Sequence, residues 1–164
     1  MTLAQFPRVL RSVVAAVHEE HWRTRGPGEM FALVEQMHHL ADLEEEGFAL
    51  RIARLLTEDA PALPNFRGDV IARERNYIEQ PLLPALERFT AARNANLARF
   101  ETLSDAEWER AGTQEGVGTV DVRGVCRMML VHDASHVTEL VELLRSLHIE
   151  APVDLLVLVL SAES

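Results

Sequence analysis

The sequence predicts an all-α protein, a single bundle of four long helices joined by long connections. Apolar residues recur at spacings of three and four in long segments, and Gly and Pro cluster between those segments. No alternating strand pattern bounded by hairpin turns interrupts them. A chain of 164 residues has the usual size of one domain, so we expect residues 1–164 to form a single domain.

The first half of the chain contains two predicted helices, over residues 3–22 and 29–56. In the first, apolar side chains recur at helical spacing at Leu3, Phe6, Leu10, Val13 and Val17. A Gly-Pro-Gly sequence at residues 26–28 separates the two helices, and the turn-rich segment TEDAPALPNFRGD follows the second. The second helix is apolar on two sides, which predicts that it lies between neighbouring helices.

The second half begins with a short predicted helix over residues 70–80. A third long helix begins at Pro81 and Pro84 and ends near Leu103, and a brief helical turn follows over residues 105–110. The segment AGTQEGVGT is predicted to be a loop. The fourth helix begins near Asp121, whose carboxylate suits a helix N-terminus, and ends near His148. The apolar C-terminal segment APVDLLVLVLSAES is predicted to pack on the bundle, with a homodimer interface as the alternative.

Charge and composition exclude several classes of function. A formal net charge of −10 is unfavourable for a surface that binds nucleic-acid phosphates. All 16 basic residues are Arg, which excludes Schiff-base and Lys general-base chemistry. Cys126 is the only cysteine, so a disulfide within the chain and a Cys-based zinc site are excluded, and a cytoplasmic location is expected. No segment has the roughly 20 apolar residues of a membrane span, so no membrane partner is expected.

Two histidines on the predicted fourth helix are the strongest functional signal. His132 and His136 are four residues apart, so their side chains lie on the same helix face as the apolar residues Val125, Met129 and Leu140. Two inward imidazoles need hydrogen-bond partners among aliphatic neighbours, and one metal ion satisfies both acceptors. Ordinary core histidines with separate hydrogen-bond partners are the alternative.

A catalytic metal site of this kind usually has three protein ligands and one open position, so a third ligand is needed. The candidates are His18, His21, His38, His39 and His148, with Asp133 and Glu139 as local carboxylates. The helix rise places His148 roughly 18 Å from His136, which excludes it. His38 and His39 lie at the matching depth of the second helix, and the apolar pattern does not choose between them.

Four segments taken together resemble the DinB/YfiT-like metal-binding superfamily. They are HLADLE beginning at His39, ERFTAARNANL around Arg93, DAEWER around Trp108, and GVGTVDVRGVCRMMLVHDASHVTEL through the fourth helix. Members of that superfamily are four-helix bundles with a histidine in the second helix and an HxxxH pair in the fourth. The resemblance implies that His39, His132 and His136 bind the metal, and Asp133 fits the HDxxH form of the pair.

The resemblance also implies a reaction class. Members with known activities include bacillithiol S-transferases and mycothiol-dependent maleylpyruvate isomerases. We therefore expect one divalent metal ion, Zn²⁺ or Ni²⁺ first, in a metal-dependent thiol S-transferase that acts on small electrophiles. Hydrolysis is the alternative reaction, because water in the same coordination position would become hydroxide. Asp42, Asp133 and Glu139 are predicted to accept hydrogen bonds from the ligand imidazoles, with surface solvation as the alternative for Asp42 and Glu139.

Two other functions are compatible with the sequence. A non-catalytic metal-binding or stress-response protein would keep the same fold and the same site. A di-iron, hemerythrin-like bundle gains one ExxH pair from Glu35 and His38, but such a site needs two pairs and two further Glu. The acidic residues at 44–46 are predicted to lie on a solvated surface, because consecutive positions point in different directions around a helix.

Overall fold

The computed structural model describes residues 2–162 and confirms the predicted four-helix bundle. The α-helices are α1 (Phe6–Ala16), α2 (Leu33–Asp42), α3 (Ala49–Thr57), α4 (Gly68–Glu74), α5 (Leu82–Glu101), α6 (Asp105–Trp108), α7 (Val122–Ser146) and α8 (Val153–Ala162). A π-helix, Leu43–Phe48, joins α2 to α3, and short 3₁₀ turns occupy Glu19–His21, Pro27–Glu29 and Tyr77–Glu79. The four long members of the bundle are α1, the continuous α2–π–α3 unit, α5 and α7.

The first helix is shorter than the sequence predicts. It ends at Ala16, because Val17 has an extended backbone with φ −96° and ψ 121°. The indole Nε1 of Trp22 donates to the carbonyl oxygen of Val17 (3.0 Å), and the carbonyl oxygen of Trp22 accepts from the amide of Val34 (3.0 Å). These two hydrogen bonds fasten the connection to the start of α2, so tertiary contacts override the helical periodicity that continues to Val17.

The π-helix explains why the predicted second helix has two apolar stripes. In a π-helix residues five apart lie over one another, so the side chains change register between α2 and α3. His39, Leu43, Phe48 and Arg51 consequently line one cavity, although a regular α-helix would turn positions 39 and 51 about 120° apart. A Cβ atom at Gly47 would lie 2.4 Å from Cδ1 of Leu43, so only glycine leaves Leu43 in this position.

A small sheet replaces the loop predicted for residues 111–119. Its strands are β1 (Ala62–Leu63), β2 (Ala111–Gln114) and β3 (Gly118–Asp121), with β2 antiparallel to β3 and parallel to β1. The prediction of a loop was wrong because the strands are short and one of them pairs with a segment far away in the sequence. Gly116 and Gly118 have φ angles of 78° and 98°, which the tight turn between β2 and β3 requires.

The sheet leads directly into α7, as the predicted helix start requires. The Oδ1 atom of Asp121 accepts a hydrogen bond from the amide of Gly124 (2.6 Å), so Asp121 is the N-cap of α7. At the other end of the chain, Leu155 and Leu158 of α8 belong to the same buried core as α1, α2, α5 and α7. The C-terminal segment therefore packs on the bundle, and the alternative homodimer stays a prediction. None of the described helices has the length and apolar character needed to cross a membrane.

Candidate metal centre

Three histidines from two helices converge inside the bundle. His39 belongs to α2, and His132 and His136 belong to successive turns of α7. The Nε2 atoms of His39 and His132 are 3.2 Å apart, and those of His132 and His136 are 3.3 Å apart. One nitrogen of each ring lies within 4.8 Å of those of the other two. The structure therefore brings together the three predicted ligands, and we call them the imidazole cluster.

The neighbouring His38 points away from the imidazole cluster. Its Nε2 donates to the carbonyl oxygen of Pro81 (3.1 Å), and its ring stacks on Tyr77 with centroids 5.3 Å apart. His38 instead lines a separate polar cavity that also contains Arg75 and Arg88. Helix packing thus decides between His38 and His39 as the third candidate ligand, which helical periodicity could not do.

Glu35 and His38, the ExxH pair of the di-iron hypothesis, do not point to a common metal position. Glu35 accepts from Nε of Arg25 (2.8 Å) and from the amide of Ala32 (3.0 Å) at the start of α2, while His38 binds elsewhere. Within residues 2–162, the imidazole cluster is the one group of three or more candidate ligands that comes together. The described residues therefore do not bring together the ligands that a di-iron centre needs.

Burial keeps the three imidazoles neutral at pH 7. It lowers the pKa of His39 to about 4. Burial is also the main cause that lowers the pKa of His132 to about 3, and the positive charges of Arg93 and Arg51 add to it. Burial brings the pKa of His136 well below 6.5. Each ring therefore carries one N–H and one lone pair, which is the state that binds a metal ion.

The contacts of His136 determine which of its nitrogens carries the proton. Its Nδ1 lies 3.1 Å from Oε1 of Gln36 and 3.3 Å from Oε2 of Glu139. A carboxylate oxygen only accepts hydrogen bonds, so Nδ1 must donate and the lone pair lies on Nε2. That lone pair faces the imidazole cluster, and the carboxylate of Glu139 lies beside Nδ1 on the other side of the ring.

Close packing, instead of a hydrogen bond, holds the ring of His39. Its Nδ1 is buried without a hydrogen-bond partner in the described part of the chain. A Cβ atom at Gly68, the first residue of α4, would lie 2.4 Å from Cε1 and 2.6 Å from Nδ1 of this ring. The rings of Phe31 and Phe66 pack edge-on at centroid distances of 5.9 Å each. The close approach of Gly68 to His39 could not be predicted from the sequence, since nothing in the local pattern links the two positions.

Two of the three nitrogen pairs in the imidazole cluster have the spacing of a tetrahedral metal site. Two imidazole nitrogens bound to zinc at ~2.0–2.1 Å and at the tetrahedral angle are about 3.4 Å apart. The separations of 3.2 and 3.3 Å in the cluster agree with that spacing. Three imidazoles suit zinc, nickel, copper and iron, so the ligands indicate a divalent metal without identifying it.

Asp133 forms a buried ion pair instead of contacting an imidazole. It accepts two hydrogen bonds from Arg93, at 2.6 and 2.9 Å, and Glu44 accepts two more from the same guanidinium at 2.9 Å each. The three side chains are at most 1% exposed. Burial raises the pKa of Asp133 to about 6, although Arg93 opposes the shift. The prediction that Glu44 lies on a solvated surface was wrong, because the π-helix turns it towards Arg93.

Asp42 is likewise bonded to other groups. It accepts hydrogen bonds from Nη1 of Arg75 (2.6 Å), from Nη2 of Arg88 (2.7 Å) and from the hydroxyl of Tyr77. Burial would raise the pKa of Asp42, but these three donors together hold it below its usual value. The role predicted for Asp42, a hydrogen bond to a ligand imidazole, is therefore not the one its contacts show.

Two cavities of different charge meet at the imidazole cluster. The arginine cavity, about 580 Å³, contains Arg51 and Arg127 and has apolar walls formed by Leu43, Phe48, Phe66 and Met128. The glutamate cavity, about 500 Å³, contains Glu139 and the residues around Pro27 and Phe31. His39, His132 and Ser135 line both. The cluster is thus accessible from a cationic side and from an acidic side.

Comparisons with known proteins agree with this fold. A sequence model of the DinB superfamily matches residues 2–140. A protein of Geobacillus thermodenitrificans (strain NG80-2) with the name "Putative metal-dependent hydrolase" is 27% identical over 114 residues, which are 70% of this chain and 64% of that protein. The chain therefore spans less than two thirds of the length of that relative.

A solved structure shares the architecture. YfiT from Bacillus subtilis, described as a probable metal-dependent hydrolase with an unusual four-helix bundle topology, matches with a TM-score of 0.82 at 18% sequence identity. The match covers 90% of this chain and 85% of that chain. At this level of identity the likeness establishes a common fold.

Proposed function

The chain belongs to the DinB superfamily, and on that premise we propose that it is a metal-dependent hydrolase in which His39, His132 and His136 hold one divalent ion. The observation that carries the proposal is the convergence of three neutral imidazole nitrogens, of which that of His132 lies 3.2 Å from that of His39 and 3.3 Å from that of His136, close to the spacing in a tetrahedral site. The names of the relative from Geobacillus and of YfiT support the same reaction class.

A divalent ion in such a site supplies Lewis-acid chemistry, because it acidifies water and polarises a carbonyl or phosphoryl oxygen. Glu139 is the base that the chain itself provides. It lines the glutamate cavity beside His132 and His136, and partial burial and the charge of Glu142 raise its pKa. A carboxylate with a raised pKa accepts a proton from water at its Oε atoms and returns the proton to a leaving group.

Thiol S-transfer, the reaction first predicted from the resemblance, would use the same three imidazoles with a thiol as the second substrate. Both reactions would use the metal ion to lower the pKa of the bound nucleophile, water or thiol. Hydrolysis is preferred here because both named relatives are described as metal-dependent hydrolases. In a non-catalytic metal-binding protein, Glu139 would only orient the ring of His136.

The test combines metal analysis with two substrate panels. Elemental analysis should show about one divalent ion per chain in the wild type and in His38→Gln, and a loss of metal in His39→Gln, because only the second variant removes a ligand. These variants are a matched pair, with the same substitution at adjacent positions. Gly68→Ala should weaken metal binding roughly 10–100-fold without removing a ligand, because its Cβ atom displaces the ring of His39.

The substrate panels separate the three functions. Small esters, amides and phosphate esters are offered to the metal-loaded protein with and without low-molecular-weight thiols. Hydrolysis without thiol supports the proposal, and product that forms only with thiol assigns S-transfer instead. Full metal content in His39→Gln, or inactivity of the loaded protein on both panels, would contradict the proposed hydrolase.

A further inference from the structure

Arg51 is a buried arginine without an ion-pair partner. Its side chain is 4% exposed, its Nε donates to the carbonyl oxygen of Pro64 (3.1 Å), and its guanidinium lies 5.7 Å from the ring centroid of Phe48. No acidic side chain in the described part of the chain pairs with it. The other buried arginine, Arg93, has two carboxylates. A guanidinium withdrawn from water without a counter-ion is unfavourable, and burial accordingly lowers the pKa of Arg51.

The position of Arg51 links it to the candidate metal centre. It lines the arginine cavity together with His39 and His132. Arg127 adds a second positive charge at the rim, where its side chain is 70% exposed and lies 3.8 Å from Asp121. The residues that line this cavity include no Asp or Glu, although the whole chain has a net charge of −10. The cavity is therefore cationic within an acidic protein.

A second polar atom of the arginine cavity lacks a partner. Gln114 of β2 is 6% exposed, and its Nε2 donates to Oδ1 of Asn65 (3.2 Å). Its Oε1 is buried and has no hydrogen-bond donor among the described residues. A buried amide oxygen without a donor is uncommon in folded proteins.

We propose that the arginine cavity binds an apolar small molecule that carries a single carboxylate, and that the terminal nitrogens of Arg51 receive this carboxylate. The planar guanidinium matches a carboxylate with two parallel hydrogen bonds. One negative charge neutralises Arg51, and because Arg127 is already paired with Asp121 at the rim, the second charge of a dianion such as phosphate would stay uncompensated between the apolar walls. A cavity of about 580 Å³ has the usual volume of a small-molecule site. The inference rests on the proposed function in identifying this molecule as the substrate, and the binding itself does not depend on the metal.

The experiment measures binding to chelator-treated, metal-free protein by calorimetry. The probes are phenylacetate and its neutral analogue phenylacetamide, and the variant is Arg51→Gln. Arg110→Gln is the matched control, because Arg110 also bonds to backbone carbonyl oxygens but does not line the arginine cavity. Wild type and Arg110→Gln should prefer phenylacetate about tenfold or more, and Arg51→Gln should lose this preference.

Several results would overturn the inference. They are equal affinities of the wild type for the two probes, no binding of either probe, a preference that persists in Arg51→Gln, or tighter binding of inorganic phosphate than of phenylacetate. If Arg51→Gln does not fold, the guanidinium NMR signals of Arg51 in the wild type decide, since they must shift with phenylacetate and not with phenylacetamide. Because no metal is present, these outcomes are independent of those that test the proposed hydrolase.

Discussion

The two buried arginines of the bundle differ in how their charges are neutralised. Arg93 of α5 is held between Glu44 and Asp133, so its region contains two negative charges for one positive charge. Arg51 of α3 has a backbone carbonyl oxygen and an aromatic ring as neighbours and faces the arginine cavity. The contrast teaches that removing Arg93 would leave buried carboxylates unpaired, whereas Arg51 has no partner within the described chain and is available to a ligand of the arginine cavity.

The largest expected effect comes from Arg93→Met. Removing the guanidinium leaves two buried carboxylates facing each other, which should lower the free energy of unfolding by about 3–5 kcal/mol. Urea unfolding at pH 7 measures it. Arg99→Met, at an exposed position of the same helix, should change the value by less than about 0.5 kcal/mol. A loss below about 1 kcal/mol in Arg93→Met would show that the ion pairs of Arg93 do not stabilise the bundle.

In the metal-free protein, lowering the pH should change the free energy of unfolding in opposite directions through the imidazole cluster and through Asp133. The pKa values of His39 and His132 near the arginine cavity are about 4 and about 3, below the ordinary 6.5. The unfolded chain therefore binds these protons first, and stability falls as the pH falls from 6.5 to about 4, by up to ~1.4 kcal/mol per pH unit for each imidazole. The pKa of Asp133 is about 6, above 3.8, so its contribution rises as the pH falls through that range.

Urea unfolding of chelator-treated protein at a series of pH values tests this opposition. His39→Gln should make the dependence on pH shallower, and Asp133→Asn should make it steeper, because each removes one of the two opposing groups. An unchanged slope in His39→Gln would mean that the ring titrates normally in the folded protein.

A smaller effect is expected from Asp133→Asn at pH 7. Arg93 keeps Glu44 as a neutralising partner, and the asparagine keeps the shape of the aspartate. The loss of charge-assisted hydrogen bonds should cost about 1–2 kcal/mol of unfolding free energy, less than Arg93→Met. Comparing the two variants shows whether Arg93 contributes more to stability than Asp133. Equal losses of unfolding free energy in Arg93→Met and Asp133→Asn would contradict that order.

The smallest effect on stability is expected from Arg51→Met. It removes one hydrogen bond to Pro64 but also removes an unpaired buried charge, so unfolding free energy should change by less than about 1 kcal/mol. Thermal or urea unfolding compares it directly with Arg93→Met. A loss as large as that of Arg93→Met would make Arg51 a structural residue and remove the contrast between the two arginines.

Much of the fold and part of the site could be predicted from local sequence. Helical periodicity places His132 and His136 on one inward face of α7, because side chains four residues apart stack on a single helix. Asp121 marks the start of that helix through the preference of carboxylates for N-caps. The hairpin of β2 and β3 was missed, since its strands gain their stability from pairing with each other and with β1.

The remaining features depend on contacts between segments that are distant in the sequence. Sequence by itself determined the helical class, the inward HxxxH pair and, through a resemblance, the choice of His39. Tertiary structure alone decided that the π-helix turns Glu44 to Arg93 and Arg51 to the cavity, that Gly68 supports the ring of His39, and that Asp133 binds an arginine. The physical reason is range: periodicity follows from the geometry of one helix, whereas burial, pairing and cavity lining follow from how helices pack together.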